Sequence, residues 1–284
     1  MISTPAYPLK ITQLIIEISL QYLLFAGLGY FIFYVYRNKK YWPAKIQLKL
    51  PRKSQLIREL FYSVISILIF GVVITLTAIA EEHGLTTSYQ HISDRGIPYF
   101  LFSVVLMIFM HDTYYYWTHR LMHWKPLFKL AHCIHHLSTN PTPFSSYSFH
   151  PIDAIVQTLI IPIIVFTIPY HPYALIMLGF YSIFLNVAGH LGFDFLPRGF
   201  ATHKIYKWLN TATHHDMHHR LVKCNYGLYF NIWDRILKTN HPHYEENFDK
   251  VTARRDQQMA EVSADTGDEE DLVVERDVAE VWED

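Results

Sequence analysis

Residues 96–136 read GIPYFLFSVVLMIFMHDTYYYWTHRLMHWKPLFKLAHCIHH. The run Gly96–Met110 is uncharged and continues through a Tyr/Trp-rich segment to Trp117. A membrane-crossing helix needs about 20 largely apolar residues, and this stretch supplies them. It ends in histidines, at His119 and His123, and then at His132, His135 and His136. An apolar helix that delivers histidines to one end is the pattern from which the rest of the chain is read.

Four further apolar stretches fit the same length rule: Ile18–Tyr36, Phe61–Ala80, Ala154–Tyr170 and Pro172–Gly189. Pro162 and Pro169 punctuate the fourth in chain order (Ala154–Tyr170), so that helix is expected to be short or kinked. Composition agrees. Hydrophobic residues make up 51% of the 284 and charged ones 17%, below the roughly 25% of soluble domains. Only 2 cysteines exclude a disulfide scaffold. The fold class that follows is an all-α integral membrane protein of four to five transmembrane helices. A cytoplasmic helical cap would carry a histidine-rich dimetal site.

Charge orients the spans. Arg37, Lys39, Lys40, Lys45, Lys49, Arg52, Lys53 and Arg58 follow the first apolar stretch with no acid before Glu59. That segment is expected on the cytoplasmic side. Alternating spans then bring the ends at His119 and His190, and everything after them, to the same face. Residues 1–260 hold 23 Lys+Arg against 14 Asp+Glu, while 261–284 hold 11 acids and one base, Arg276. Three units are expected: N-terminal membrane helices with a basic loop (1–97), a catalytic unit (98–250) and a solvated acidic tail (251–284).

Eighteen histidines require a reason. The clusters are His119/His123, His132/His135/His136 and His214/His215/His218/His219. Spacings of three and four place side chains on one helical face, one turn apart. One tetrahedral metal needs four ligands. Eight imidazoles, without His214, therefore suggest two metals, and His190 at the end of the last apolar stretch makes a ninth. Imidazole suits Fe, Zn, Cu and Ni alike. Activation of O2 at a metal pair accounts for so many ligands better than hydrolysis, and the substrate would be a lipid that never leaves the bilayer. Such a lipid is expected to arrive laterally, between the third and fifth apolar stretches. Tyr114, Tyr115, Tyr116 and Trp117 would either line its route or form an aromatic belt at the headgroups.

Other residues have supporting roles in this reading. His111 and Asp112 form an ionisable pair about 12 Å above His119 along the helix, a functional candidate because of its depth. His150, His203 and His214 are candidates for groups around the metals or the cavity. Asp216 and Asp234 could hold the outer nitrogens of liganding imidazoles, and Arg120 and Arg235 could pair with such carboxylates. A zinc-dependent hydrolase is the rival reading, with Asp216 as its base, though no His-Glu-x-x-His string is present.

Taken in order, the strings His111-Asp-Thr-Tyr-Tyr-Tyr-Trp117-Thr-His119-Arg120-Leu-Met-His123, His132-Cys-Ile-His135-His136, Pro141-Thr-Pro-Phe-Ser-Ser-Tyr-Ser-Phe-His150-Pro151 and His215-Asp-Met-His218-His219 have a known likeness. With Asn225-Tyr-Gly227 and Trp233-Asp234-Arg235 they resemble the fatty acid hydroxylase/sterol desaturase superfamily, closest in look to its sterol C5-desaturases. The likeness covers roughly residues 98–240. Two features depart from it: the extra His214, and Lys238-Thr239 where relatives often have Gly before Thr or Ser. The resemblance implies two Fe ions held by these histidines, O2 as oxidant, and electrons from an external cytochrome b5 or ferredoxin fed by NAD(P)H. Lys39, Lys40, Arg52 and Lys53 could steer such an acidic carrier. It implies desaturation or hydroxylation of an unactivated C–H bond in a sterol-like lipid. Fatty-acyl or sphingoid hydroxylation is the alternative. The membrane would be the endoplasmic reticulum in a eukaryote and the cell membrane in a bacterium.

Overall fold

Backbone in lipid must satisfy its own hydrogen bonds, so apolar sequence there becomes helix. The computed structural model describes residues 6–261. In chain order the helices are α1 (Pro8–Tyr36), α2 (Lys53–Glu82), α3 (Gly96–Met122), α4 (125–136), α5 (Pro151–Thr167) and α6 (Pro172–Gly189). They are followed by α7 (Ala212–Leu221), α8 (Ile232–Ile236) and α9 (244–261). Among the described residues β-structure is limited to isolated bridges. The chain is an all-α integral membrane protein. Among the described residues four helices, α1, α2, α3 and α6, are long and apolar enough to cross a membrane.

The fourth apolar stretch forms the shorter helix α5, broken at Leu159 into Pro151–Thr158 and Ile160–Thr167. Pro162 lacks the N–H that Thr158 would receive, which is why the ladder weakens there. At about 1.5 Å per residue, α5 falls short of the roughly 30 Å hydrocarbon core. Its far end is tied to the loop after α2: Thr87 N–H donates to the Val165 carbonyl at 3.0 Å, and Tyr89 N–H to the Tyr170 carbonyl at 3.0 Å.

Helix contacts bury small, branched and some large residues, while many other large ones face outward. Met107, Ile160, Ile164, Ala174 and Leu178 join α3, α5 and α6. Tyr22, Ala26, Ile67, Ile183 and Val187 join α1, α2 and α6. Close approach of α1 to α2 depends on Gly71, where a Cβ would collide with Ile15 Cγ1. Leu24, Leu28, Phe61, Leu68, Leu76, Leu101, Phe102, Phe180 and Phe184 remain exposed on these helices, as lipid-facing side chains do.

The expected boundary at residue 250 falls inside an element. α9 runs without a break through 251–261, and Val251, Thr252 and Arg255 are buried in it. Arg255 donates to the Asp194 and Leu196 carbonyls, and Arg254 to the Lys45 carbonyl, so this helix packs on the cap. The rest of the acidic tail, 262–284, lies outside the described residues.

The cap is locked to the membrane helices by a buried polar cluster. Lys45 Nζ, fully buried, donates to the Gly192 carbonyl at 3.1 Å and to Asn140 Oδ1 at 3.3 Å. Burial pushes its ammonium down to a pKa of about 8. Gly192 has a φ of +74°, and a Cβ there would lie 2.5 Å from the Tyr34 hydroxyl and 3.0 Å from the Pro141 carbonyl. Gly192→Ala is expected to cost about 2–4 kcal/mol, strain and overpacking combined. Thermal unfolding in detergent measures it; an unchanged midpoint would contradict this packing account.

Candidate metal centre

The nine histidines singled out in the sequence converge at one end of the bundle, and they divide into two groups. His119, His123, His132, His136 and His218 form one; His135, His190, His215 and His219 form the other. Within each group the candidate ligand nitrogens all lie within 4.8 Å of one another. The division crosses the sequence clusters. Residues i and i+4 of each His-x-x-His-His string stay together, and the i+3 residue joins the other group. Thus α4 sends His132 and His136 one way and His135 the other, and α7 sends His215 and His219 one way and His218 the other.

The outer nitrogens explain how the rings are aimed. His119 Nδ1 donates to the Tyr226 carbonyl at 2.9 Å, His135 Nδ1 to Ser148 at 3.3 Å, His190 Nδ1 to Asn186 at 2.8 Å and His218 Nδ1 to Cys224 at 2.6 Å. A carbonyl oxygen only accepts, so each Nδ1 carries the proton and each Nε2 presents a lone pair. Those lone pairs crowd together. His119 Nε2 is 3.1 Å from His132 Nε2, and His215 Nε2 is 2.9 Å from His190 Nε2. His218 Nε2 is buried with no hydrogen-bond partner. Facing lone pairs repel unless a cation lies among them, so the donor set fits a metal in each group.

Burial, joined by neighbouring histidines, holds His132, His135, His136, His215, His218 and His219 well below the ordinary imidazole range, and His190 at about 4. The rings are therefore neutral at physiological pH, the form that binds metal.

Asp153 was not anticipated from the sequence. Its fully buried carboxylate accepts from His132 Nδ1 at 2.7 Å. The only sequence signal was an acid at the start of an apolar stretch, three residues after His150. A carboxylate behind a liganding imidazole raises its basicity. Asp153→Ala is expected to weaken metal binding at the five-histidine group by roughly 10–100-fold. Metal titration of the stripped protein checks this, and equal affinity would remove Asp153 from the site.

Several supporting residues are placed otherwise than expected. Asp216 meets no imidazole; it accepts from Arg220 Nε at 2.8 Å and Gln47 Nε2 at 2.6 Å. Asp234 acts at one remove. It accepts from the Tyr226 and Gly227 amides at 2.9 and 2.7 Å and so shapes the loop whose Tyr226 carbonyl holds His119. His214 Nε2 lies 3.8 Å from Asp234 and 2.9 Å from Asn240 Oδ1, outside both groups. Arg120 meets the Tyr116 hydroxyl rather than a carboxylate. Arg235 pairs with Glu245, not with an acid at the metal groups. His150 caps α5 by accepting from Ile152 N–H at 3.3 Å, and His203 is an exposed turn residue accepting from Ile205 N–H. The His111–Asp112 pair is a brace: Asp112 accepts from the Tyr229 and Phe230 amides, and His111 Nδ1 meets the Tyr229 hydroxyl at 3.0 Å.

Among the described residues a cavity reaches the histidines. Its volume is about 720 Å³, within the roughly 300–1,000 Å³ typical of small-molecule sites. Its walls come from α1 (Leu24 to Phe33), α6 (Tyr181 to Gly189) and the start of α7, and His215 lines it. This cavity lies between α1 and α6, beside rather than within the space between the third and fifth stretches where the lipid is expected to arrive. Tyr114–Trp117 do not line this cavity. Tyr115 and Tyr116 are buried, and Tyr114 borders a smaller cavity of about 340 Å³ between α3 and α5.

Comparison with known proteins agrees with the geometry. The fatty acid hydroxylase family model matches residues 104–239, the segment that contains all nine histidines. Lathosterol oxidase of Rattus norvegicus is 34% identical over 189 residues, 65% of this chain and 60% of that protein. Delta(7)-sterol 5(6)-desaturase erg3C of Aspergillus fumigatus is 30% identical over 234 residues, 75% of this chain and 69% of that protein. C-4 methylsterol oxidase erg25 of Schizosaccharomyces pombe is 29% identical over 177 residues, 61% of this chain and 55% of that protein. The match to the rat relative thus spans three-fifths of its length. No solved structure matches. On the family match and these relatives, the chain belongs to the fatty acid hydroxylase family.

Proposed function

We propose that this protein is an O2-dependent oxidoreductase that desaturates a sterol-like membrane lipid at an unactivated C–H bond. The carrying observation is that His215, one of nine convergent imidazoles, lines an apolar cavity walled by lipid-facing helices. In this reading His119, His123, His132, His136 and His218 hold one iron, and His135, His190, His215 and His219 hold the other. Two irons so held would supply an oxidant able to break an unactivated C–H bond with O2 and external electrons. Forming one C=C bond takes two neighbouring hydrogens from the lipid; with O2, two electrons and two protons, two waters result.

The chain's own residues do the rest. Backbone carbonyls fix the Nε2 lone pairs inward, and Asp153 orients His132. Phe25, Phe184, Phe193 and Leu185 keep water from the lipid and hold it against the His215 side, since reacting groups must meet near contact distance. Asp216, which a hydrolytic reading needs as base, is already held by Arg220 and Gln47.

In this reading the centre faces the cytoplasm, which the basic segment 37–58 supports by the positive-inside rule. Electrons come from cytochrome b5 or a ferredoxin fed by NAD(P)H. In a eukaryote the membrane is the endoplasmic reticulum. The names of the relatives suggest the 5(6) position of a Δ7-sterol. Expression in cells lacking that desaturase, followed by sterol profiling, tests the reading. A new 5(6) double bond supports it. Iron-loaded, reducible protein that leaves every sterol unchanged, while another lipid gains a hydroxyl, would replace it with the hydroxylase reading.

A further inference from the structure

Charge on the histidine end is segregated by burial. Between residues 96 and 240 the acids are Asp112, Asp153, Asp194, Asp216 and Asp234, and each is at most 2% exposed. Lys125, Lys129, Arg198, Lys204, Arg220, Lys223 and Lys238 are exposed over the same span. Over this span the exposed charge is cationic because its acids are used inside; exposed carboxylates of the cap, such as Glu246 and Asp256, lie on α9.

One edge of the metal centre opens onto this surface. His123 is the only one of the nine histidines that is not buried. It ends α3, next to exposed Trp124 and Lys125. Its ring packs on Tyr226 with centroids 5.0 Å apart, and on His218 at 4.8 Å. The 222–226 loop therefore forms the other side of this edge, and Lys223 is exposed on it. Arg120 donates to the Tyr116 hydroxyl, and the Tyr116 ring lies 6.3 Å from that of Tyr226. Arg220 is partly neutralised by its pair with Asp216. Lys125 and Lys223 have no carboxylate partner within ion-pair reach among the described residues.

We propose that an acidic one-electron carrier protein docks on this edge, with Lys125 and Lys223 as its charge contacts and His123 as the nearest part of the centre. The proposal rests on the oxidoreductase reading, which requires electrons from outside. Electron transfer slows steeply with distance, so the least buried ligand, the half-buried His123, is where a carrier gains most. Complementary charge steers and orients such encounters, and the effect is screened by salt. Lys39 and Lys40, also exposed, belong to the segment after α1 and are the natural comparison pair.

The test uses the full chain in nanodiscs of zwitterionic lipid, with soluble cytochrome b5 and a plant-type ferredoxin as acidic probes. Binding to metal-free protein and the second-order rate of reduction of iron-loaded protein are both measured. The Lys125→Glu/Lys223→Glu pair is expected to weaken binding and slow reduction by roughly fivefold to tenfold at low salt, with the difference vanishing at high salt. Lys39→Glu/Lys40→Glu should do less, and reduction by dithionite controls for an intact site. Equal binding by the Lys125/Lys223 variant, or a larger loss at Lys39/Lys40, overturns the assignment. Displacement of both probes from the unaltered protein by anionic lipid would make a headgroup the occupant and overturn it too. Failure of the oxidoreductase reading is read separately, as dithionite-reduced protein that oxidises no lipid.

Discussion

Alanine at His135 is expected to strip the four-histidine group while leaving the five-histidine group loaded. His218→Ala should strike the opposite group. The sequence clusters suggest no such result, because His135 lies beside His136 and His218 beside His219. The structure separates each pair between the two groups. A four-ligand site gains roughly 10–16 kcal/mol from its metal, so one ligand accounts for about 3 kcal/mol, or on the order of 10²-fold in affinity. Metal content of anaerobically purified protein should fall from about two irons to about one in His135→Ala, with the coupled-pair Mössbauer signature lost and lipid oxidation abolished. His218→Ala leaves four imidazoles in its group, so its iron should be retained more weakly and be lost first to a chelator. Loss of both metals together in His135→Ala would show that the two groups do not act as separate sites.

That crossing shows what a linear reading captures. Membership of the nine was legible because three dense clusters and a helix-ending His190 are rare in any chain. Partition was not. On a helix, residue i+4 leads residue i by about 40° and i+3 lags it by about 60°, so a string of three histidines faces two directions. Which direction meets which partner depends on how α4 and α7 lie across α3, and no spacing within one string encodes that. Asp153 escaped for the same reason: it approaches His132 from 21 residues away. Asp216 and Asp234 were drawn toward the metals by their place in sequence. Their hydrogen bonds lead instead to Gln47 and Arg220, and to the Tyr226–Gly227 amides. The spans were legible where composition alone decides, as in α2 and α6. They were less so in α5, where Pro162 shortens a helix that its apolar content would have carried across.

The same non-local assembly governs the cavity, and it leads to the second large effect. Ala188 lines the wall two residues before His190, where a small side chain leaves space beside His215. Ala188→Phe should fill that space and hold a lipid away from the centre. A displacement of about 1 Å from productive geometry costs on the order of 10²-fold in rate. The expected result is a fall in kcat/KM of that order, with the iron content of the unaltered protein. Leu28→Trp changes the same cavity from α1, where Leu28 is 48% exposed toward lipid. It should cost no more than roughly tenfold, because an open wall can yield. This ordering separates an occluded cavity from a damaged centre, since loss of iron in Ala188→Phe would point to His190 rather than to the lipid. If Ala188→Phe turns over the lipid at the unaltered rate with its iron in place, the substrate does not approach along the α1–α6 wall. The smaller cavity between α3 and α5 would then be the next candidate approach, with Tyr114 lining it, one of the two roles the sequence offered that residue.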